Sequence, residues 1–196
     1  MRIASGKLRG HRIGFRPAKG LRPTSEKVRQ AVFDMLRGRL GEASVLDLFS
    51  GTGAFGMTAL SEGAARAVFV EKDSCQCRQI RQSLEKLKLA ERSEVLCADA
   101  LAYLEKAPAS GDYFDLVFLD PPYGDGSARR AIELLSRSSL CRGDGLVVAE
   151  CRRNESLPKK AGTLCHLKTK IYGDTQILIY GFARTDDPET EAGSGA

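Results

Sequence analysis

Between residues 45 and 150 the chain alternates short apolar runs with longer amphipathic stretches, and that alternation does most to limit its fold. The apolar runs lie at about 45–49, 67–71, 94–97 and 114–119. Between and after them, segments at about 54–63, 74–88, 99–106 and 127–138 have helical patterning. A short apolar run bounded by turn residues reads as a buried strand. Strands separated by helices are joined by crossovers, which predicts a mostly parallel α/β sheet with helices on both faces. Leu146-Val147-Val148-Ala149-Glu150 adds a fifth strand. Leu164 to Lys170 and Ile177 to Phe182 follow without a long helix between them, so they are expected as an antiparallel pair closing one edge. Plain dinucleotide-binding domains lack such a pair. Ahead of the core, residues 1–16 predict one or two short strands. Residues 25–40 predict an amphipathic helix with Val28, Ala31, Val32, Met35 and Leu36 on one face.

The ends of these strands hold the residues that can do chemistry. In open α/β sheets, ligands bind beyond the carboxyl ends of the strands. Val45-Leu46-Asp47-Leu48-Phe49 runs into Ser50-Gly51-Thr52-Gly53-Ala54-Phe55-Gly56 and then into a helix. Glycines there let the backbone turn tightly and approach a ligand closely. Read literally this is G-x-G-x-x-G, the dinucleotide fingerprint, so an NAD-dependent oxidoreductase is one reading. Glu71 ends the second strand and suits ribose hydroxyls. Asp99 follows the third strand and could face an adenine amine. Asp120-Pro121-Pro122-Tyr123 follows the fourth. Its prolines stop the strand and stiffen the turn. A carboxylate and a carbonyl can each accept one N–H of an exocyclic amine, and the ring can stack on a base. A plain strand-to-loop turn is the bland alternative for that tetrapeptide. Three acids at successive strand ends weigh against it.

Val45 to Gly56, Glu71, Asp99 and Asp120 to Tyr123 resemble the ordered motifs of class I S-adenosylmethionine-dependent methyltransferases. The likeness is nearer still to the bacterial enzymes that modify a guanine N2 amine in small-subunit (16S) ribosomal RNA. Met1-Arg2-Ile3-Ala4-Ser5-Gly6 with Leu8-Arg9-Gly10 resembles that family's start. Arg22-Pro23-Thr24 with Lys27-Val28-Arg29-Gln30 resembles its segment ahead of the core, and Tyr172-Gly173-Asp174-Thr175-Gln176 its end. Ser25-Glu26 departs mildly from the expected Pro/Asp-like helix start, though Thr24 or Ser25 can still cap it. The resemblance covers about residues 1 to 183. It implies a Rossmann-like class I methyltransferase sheet with a short basic N-terminal β/α extension. It also implies an S-adenosylmethionine site built from Asp47, Ser50, Gly51, Thr52, Gly53, Glu71, Asp99 and Ala100, with Asp120, Pro121, Pro122 and Tyr123 acting on the base. Adenine-N6 methylation of DNA or RNA stays open, because Asp-Pro-Pro-Tyr serves that amine as well. No separate recognition domain of about 100 residues is present to favour a sequence-specific DNA enzyme.

Charge placement adds a partner. Residues 1–44 hold eleven Lys/Arg against three Asp/Glu, a local balance of +8, and the remainder balances to −3. A basic block on a near-neutral core suggests a polyanion. Arg2, Lys7, Arg9, Arg12, Arg16, Lys19 and Arg22 alternate with Ile3, Leu8, Ile13, Phe15 and Leu21, too patterned for a disordered tail. Arg2, Lys7, Arg9, Arg12, Arg16 and Arg22 are the candidate contacts to ribosomal RNA, free or in an assembling small subunit.

At 196 residues the chain suits one domain, with residues 1–183 as a unit (1–44 the extension, 45–183 the core). Residues 184–196 read as a disordered acidic tail. No apolar stretch approaches about 18 residues, and the basic start has no apolar signal region, so a cytoplasmic protein without membrane contact is expected, most simply a monomer. Cys75, Cys77, Cys97, Cys141, Cys151 and Cys165 lack C-x-x-C spacing and are expected as reduced thiols, with no metal site. His166 is expected to be structural and His11 to meet phosphate or solvent.

Overall fold

A computed structural model of the protein describes residues 1–14, 25–106 and 113–182. Helix α1 (Glu26–Met35) is followed by β1 (Ser44–Leu48), α2 (Ala54–Glu62), β2 (Arg66–Glu71) and α3 (Ser74–Lys86). A 3₁₀ turn at Ala90–Arg92 leads to β3 (Ser93–Cys97), α4 (Ala100–Lys106), β4 (Phe114–Leu119) and α5 (Ser127–Leu135). Among the described residues the elements that follow are all strands: β5 (Cys141–Arg152), β6 (Lys160–Ala161), β7 (Leu164–Tyr172) and β8 (Thr175–Phe182). They form one sheet in the order β3-β2-β1-β4-β5-β8-β7-β6. The first five are parallel and the last three antiparallel.

Local chemistry accounts for the element starts. Ser25 Oγ accepts from Val28 N at 3.2 Å and caps α1. Asp73 caps α3 by accepting from Cys75 N and Gln76 N at 2.7 and 3.0 Å. Helix α1 is shorter than the 25–40 expected. It ends at Met35, and Gly38 takes φ +86° in the turn that follows. Strand β5 is longer than 146–150. Its first half is polar and exposed at Arg142-Gly143-Asp144, so no apolar pattern marks it.

Two apolar layers enclose the sheet. One face packs under α1, α2 and α3, with Phe33, Phe55 and Phe118 in ring contact. The other packs under α4 and α5, through Leu104, Ile132 and Leu135. Along β4, Leu116 and Phe118 enter the first layer while Val117 and Leu119 enter the second, the period-2 alternation of a strand buried on both faces.

Helix α2 is buried from Ala54 to Ser61, because residues 1–14 cover the side that the sheet leaves open. Leu8 N donates to Ser61 Oγ at 2.8 Å, Ser61 Oγ to the Ser5 carbonyl at 2.7 Å, and Lys7 N to the Ser61 carbonyl at 2.9 Å. Ile3 and Ile13 are buried beneath this segment. In place of the one or two short strands expected there, a single antiparallel bridge joins Arg2 to Arg12.

Candidate active site

Register aligns the strand ends. Leu48 pairs with Val70 and with Leu119, Glu71 with Cys97, and Leu119 with Ala149. The residues that follow therefore share one rim. The order reverses between β1 and β4, the switch point where open α/β sheets bind ligands.

The loop after β1 turns through three positive φ angles: Phe49 at 56°, Gly51 at 53° and Gly53 at 72°. Glu71 holds it from the neighbouring strand, its Oε2 accepting from Gly51 N at 2.8 Å while Oε1 accepts from Asp73 N at 2.8 Å. Ser50 Oγ turns inward, donating to the Asp47 carbonyl at 2.6 Å and lying 3.2 Å from the Val70 carbonyl. Thr52 Oγ1 donates to Met1 Sδ at 3.2 Å. Gly53 precedes α2 as its cap residue. Gly56 has no room for a side chain, since a Cβ there would meet Phe69 Cε1 at 2.4 Å. That closeness lets Gly56 N donate to Asp47 Oδ2 at 2.9 Å. Asp47 is wholly buried, and burial pushes its carboxyl up to about 8; the Gly56 hydrogen bond opposes this and the charge of Glu71 adds to it.

Asp99 lies exposed at the end of β3. Its Oδ1 accepts from Leu101 N and Ala102 N, each at 3.0 Å, so it also caps α4, where Ala100 is buried. After β4, Asp120 is half-buried, Pro121 buried and Pro122 exposed. Tyr123 is fixed from two other strands. Its hydroxyl donates to Glu150 Oε1 at 2.9 Å and lies 3.3 Å from Thr175 Oγ1, while the Arg152 guanidinium sits 5.5 Å from its ring centroid. Burial, opposed by the Thr175 contact and reinforced by Glu150 and Asp120, raises the Tyr123 phenol, so it stays protonated.

Sequence reasoning gave no role to Arg29 or Glu150, yet both are buried beside this motif. The available signals were a fourth acid near the end of an apolar strand and a charge on the apolar face of α1. Arg2, Lys7, Arg9 and Arg12 are exposed on the docked N-terminal segment, with Arg2 Nη1 bonded to the Gly10 carbonyl at 3.3 Å. Arg16, Lys19 and Arg22, like the tail 184–196, lie outside the described residues. His11 Nδ1 is 2.9 Å from the Leu8 carbonyl. His166 Nε2 is 2.7 Å from Thr169 Oγ1, and its ring meets Tyr180 edge-on. Cys75 is exposed and Cys77 buried, and all six cysteines are free thiols. Among the described residues no helix is long and apolar enough to cross a membrane.

Solved structures share this architecture. The yhhF protein of Escherichia coli aligns with TM-score 0.83 and 28% identity, covering 93% of this chain and 97% of that one. An RNA methyltransferase from Salinibacter ruber, solved with S-adenosyl-L-homocysteine, has the same fold at TM-score 0.61 and 19% identity, over 86% and 97% of the two chains. With its strand order and glycine loop, the chain falls among the class I S-adenosylmethionine-dependent methyltransferases. Residues 1–181 match the family described as Conserved hypothetical protein 95, and the chain belongs to that family. Relatives include the ribosomal RNA small subunit methyltransferase D of Haemophilus influenzae, 34% identical over 182 residues, covering 92% of this chain and 93% of the relative. Its namesake in Escherichia coli K12 is 31% identical over 180 residues, covering 92% and 89%. The oxidoreductase reading of the glycine loop is set aside by this membership.

Proposed function

We propose that the protein methylates the exocyclic N2 amine of a guanine in 16S ribosomal RNA, using S-adenosylmethionine. The observation behind this reading is the placement of Asp120-Pro121-Pro122-Tyr123 at the end of β4, next to the glycine loop at the strand-order reversal. The named relatives supply the RNA class.

The residues present fit S-adenosylmethionine. The positive φ angles of Phe49, Gly51 and Gly53 turn the backbone tightly beside the place for the methionine moiety, and the two glycines add no side chain there. Each Glu71 oxygen, already accepting one backbone N–H, has a second lone-pair direction for a ribose hydroxyl. Asp99 Oδ2 and the start of α4 at Ala100 border the adenine position. Asp47, Ser50 and Thr52 act indirectly, shaping the loop through Gly56, through the backbone and through Met1. When bound, the sulfonium supplies an activated methyl group.

The chain's own contribution is to the acceptor. An exocyclic amine is a poor nucleophile because its lone pair is delocalised into the ring. The Asp120 carboxylate and the Pro121 carbonyl accept its two N–H bonds, which favours a pyramidal nitrogen with an aimed lone pair. Asp120 then relieves the proton as the nitrogen becomes positive. Tyr123 stacks on the base, which must first leave its RNA stack. Arg152 already occupies the neighbourhood of the Tyr123 ring, so the base takes the side that Arg152 leaves. Arg2, Lys7, Arg9, Arg12, Arg16 and Arg22 position phosphates. The protein works as a cytoplasmic monomer on 16S RNA, free or within an assembling subunit.

The test is methyl transfer to 16S RNA and to partly assembled subunits in vitro, followed by nucleoside mass spectrometry. N2-methylguanosine is the expected product. N6-methyladenosine would transfer the same site to the adenine-directed reading, and absence of incorporation on every substrate would end the proposal.

A further inference from the structure

Two charged side chains are buried beneath the acceptor motif where apolar ones would fill the space at lower cost. Arg29 is 1% exposed, on a face of α1 otherwise made of Val28, Val32 and Phe33 and continued by the cap residue Leu36. Glu150 is 3% exposed and follows the apolar Val147-Val148-Ala149 of β5. Burying an ion costs several kcal/mol even in a real protein interior, and hydrophobic replacements of buried ion pairs are often neutral or stabilising. Stability alone therefore does not account for this pair, but their neighbours do. Leu119 and Ala149 are register partners on parallel strands, so Asp120, just beyond β4, comes beside Glu150 of β5. Two adjacent carboxylates repel unless a cation is near. Arg29 is that cation: burial lowers its pKa, while Glu26, Asp120 and Glu150 pull it back up. A guanidinium stays protonated throughout the working range.

We propose that Arg29 and Glu150 are positioning residues for methyl transfer: Glu150 fixes the Tyr123 ring through its hydroxyl, and Arg29 holds the Asp120 carboxylate ionised and aimed at the amine. This rests on the function proposed above. The charged and titratable groups around Arg29 are Glu26 on α1, the Met1 amine of the N-terminal segment, Asp120 beyond β4 and Glu150 on β5. Tyr123 and Arg152 complete the cluster around Glu150. Arg29 is itself oriented by its Nη2 bond to the Arg2 carbonyl at 3.0 Å, which links the motif to the docked N-terminal segment.

The experiment measures kcat against pH, with saturating cofactor, for wild type, Glu150→Gln, Arg29→Met, Arg29→Lys and Tyr123→Phe, alongside cofactor affinity by calorimetry. Glu150→Gln and Arg29→Met should each lower kcat by roughly 10- to 100-fold, the scale of a small misplacement of reacting groups. Cofactor Kd should stay within about twofold, the loss being of orientation and not of binding. The acid limb, where Asp120 gains its proton, should move to higher pH in Arg29→Met. It should move to lower pH, or out of range, in Glu150→Gln, because one change removes a cation and the other an anion. Arg29→Lys should keep the limb in place, and Tyr123→Phe should lower kcat without moving it. If Arg29→Met does not fold, Glu150→Gln and Arg29→Lys still decide. A purely structural role predicts an unmoved limb with reduced thermal stability and equally weakened cofactor binding; that result overturns the proposal. A wild-type protein that binds cofactor but methylates no RNA would instead remove the function on which it rests.

Discussion

Asp47 shows how much the glycine loop demands of one residue. The backbone N–H of Gly56 needs an acceptor, and with Phe69 leaving no room for a side chain at Gly56 itself, the acceptor comes from Asp47 on β1. The carboxyl that fills this place is wholly buried and holds its proton to about pH 8, against an ordinary value of 3.8. Between those limits the folded protein binds a proton that the unfolded chain has released, so stability falls as pH rises through the window. Each pH unit is worth at most about 1.4 kcal/mol. Asp47→Asn keeps the acceptor and removes the titration. Its melting temperature relative to wild type should therefore climb by roughly 5 °C or more between pH 5 and pH 8. A pH-independent difference in thermal unfolding would show that Asp47 is charged at neutrality. Asp120 and Glu71 separate the two halves of the site. Asp120→Ala should abolish methyl transfer and leave cofactor affinity nearly intact. Glu71→Ala should weaken S-adenosylmethionine by about tenfold or more, since charged acceptors contribute roughly 1.5–3 kcal/mol per bond. RNA affinity should hardly change. Calorimetry and RNA binding on the two variants distinguish these losses, and unaltered cofactor binding in Glu71→Ala would remove that residue from the site.

At the level of elements, the N-terminal segment depends on one close approach. Gly6 adopts φ +80°, and a Cβ there would lie 2.3 Å from the Ser61 backbone. Gly10 has nearly the same φ, +82°, but open space around it. Gly6→Ala should cost about 2 kcal/mol or more, from backbone strain and overpacking together. Gly10→Ala should cost only the strain. Thermal denaturation of both isolates the packing of the segment on α2, and equal losses would mean that the segment is not held there. The alternation of apolar runs and helices made β1 to β4 and their helices legible, because β1, β2 and β4 are buried on both faces and the partly exposed edge strand β3 is still a short run bounded by turn residues. The pair β7 and β8 was legible from the missing helix. The two-residue β6 and the polar first half of β5 were not, since neither has a pattern long enough to show. Within the site, acids at strand ends could be read because strand ends are visible in sequence. Arg29 and Glu150 could not, because a charge defaults to solvent until tertiary packing buries it.

Across the molecule, exposed basic residues sit on a segment whose apolar residues are locked into the core. Arg9 and Arg12 are exposed while Ile3 and Ile13 are buried. Such charges are presented in fixed positions, unlike those of a tail. If they meet phosphates, RNA affinity should fall steeply with salt, and replacing Arg9 and Arg12 by Ala should flatten the log–log slope by about two. Filter binding at several salt concentrations gives the slope; an unchanged slope would leave these arginines as solubilising charges. The closing strands set a further condition. Tyr123 is anchored to Glu150 and, through β8, to Thr175, while Gln176 Nε2 donates to the carbonyls of Arg152 and Glu155 at 2.9 and 2.6 Å. Those anchors lie far downstream of the motif they steady. On the ribosome, the acceptor motif is therefore made well before its support exists, and a nascent chain gains that support only once β8 has been translated and inserted between β5 and β7.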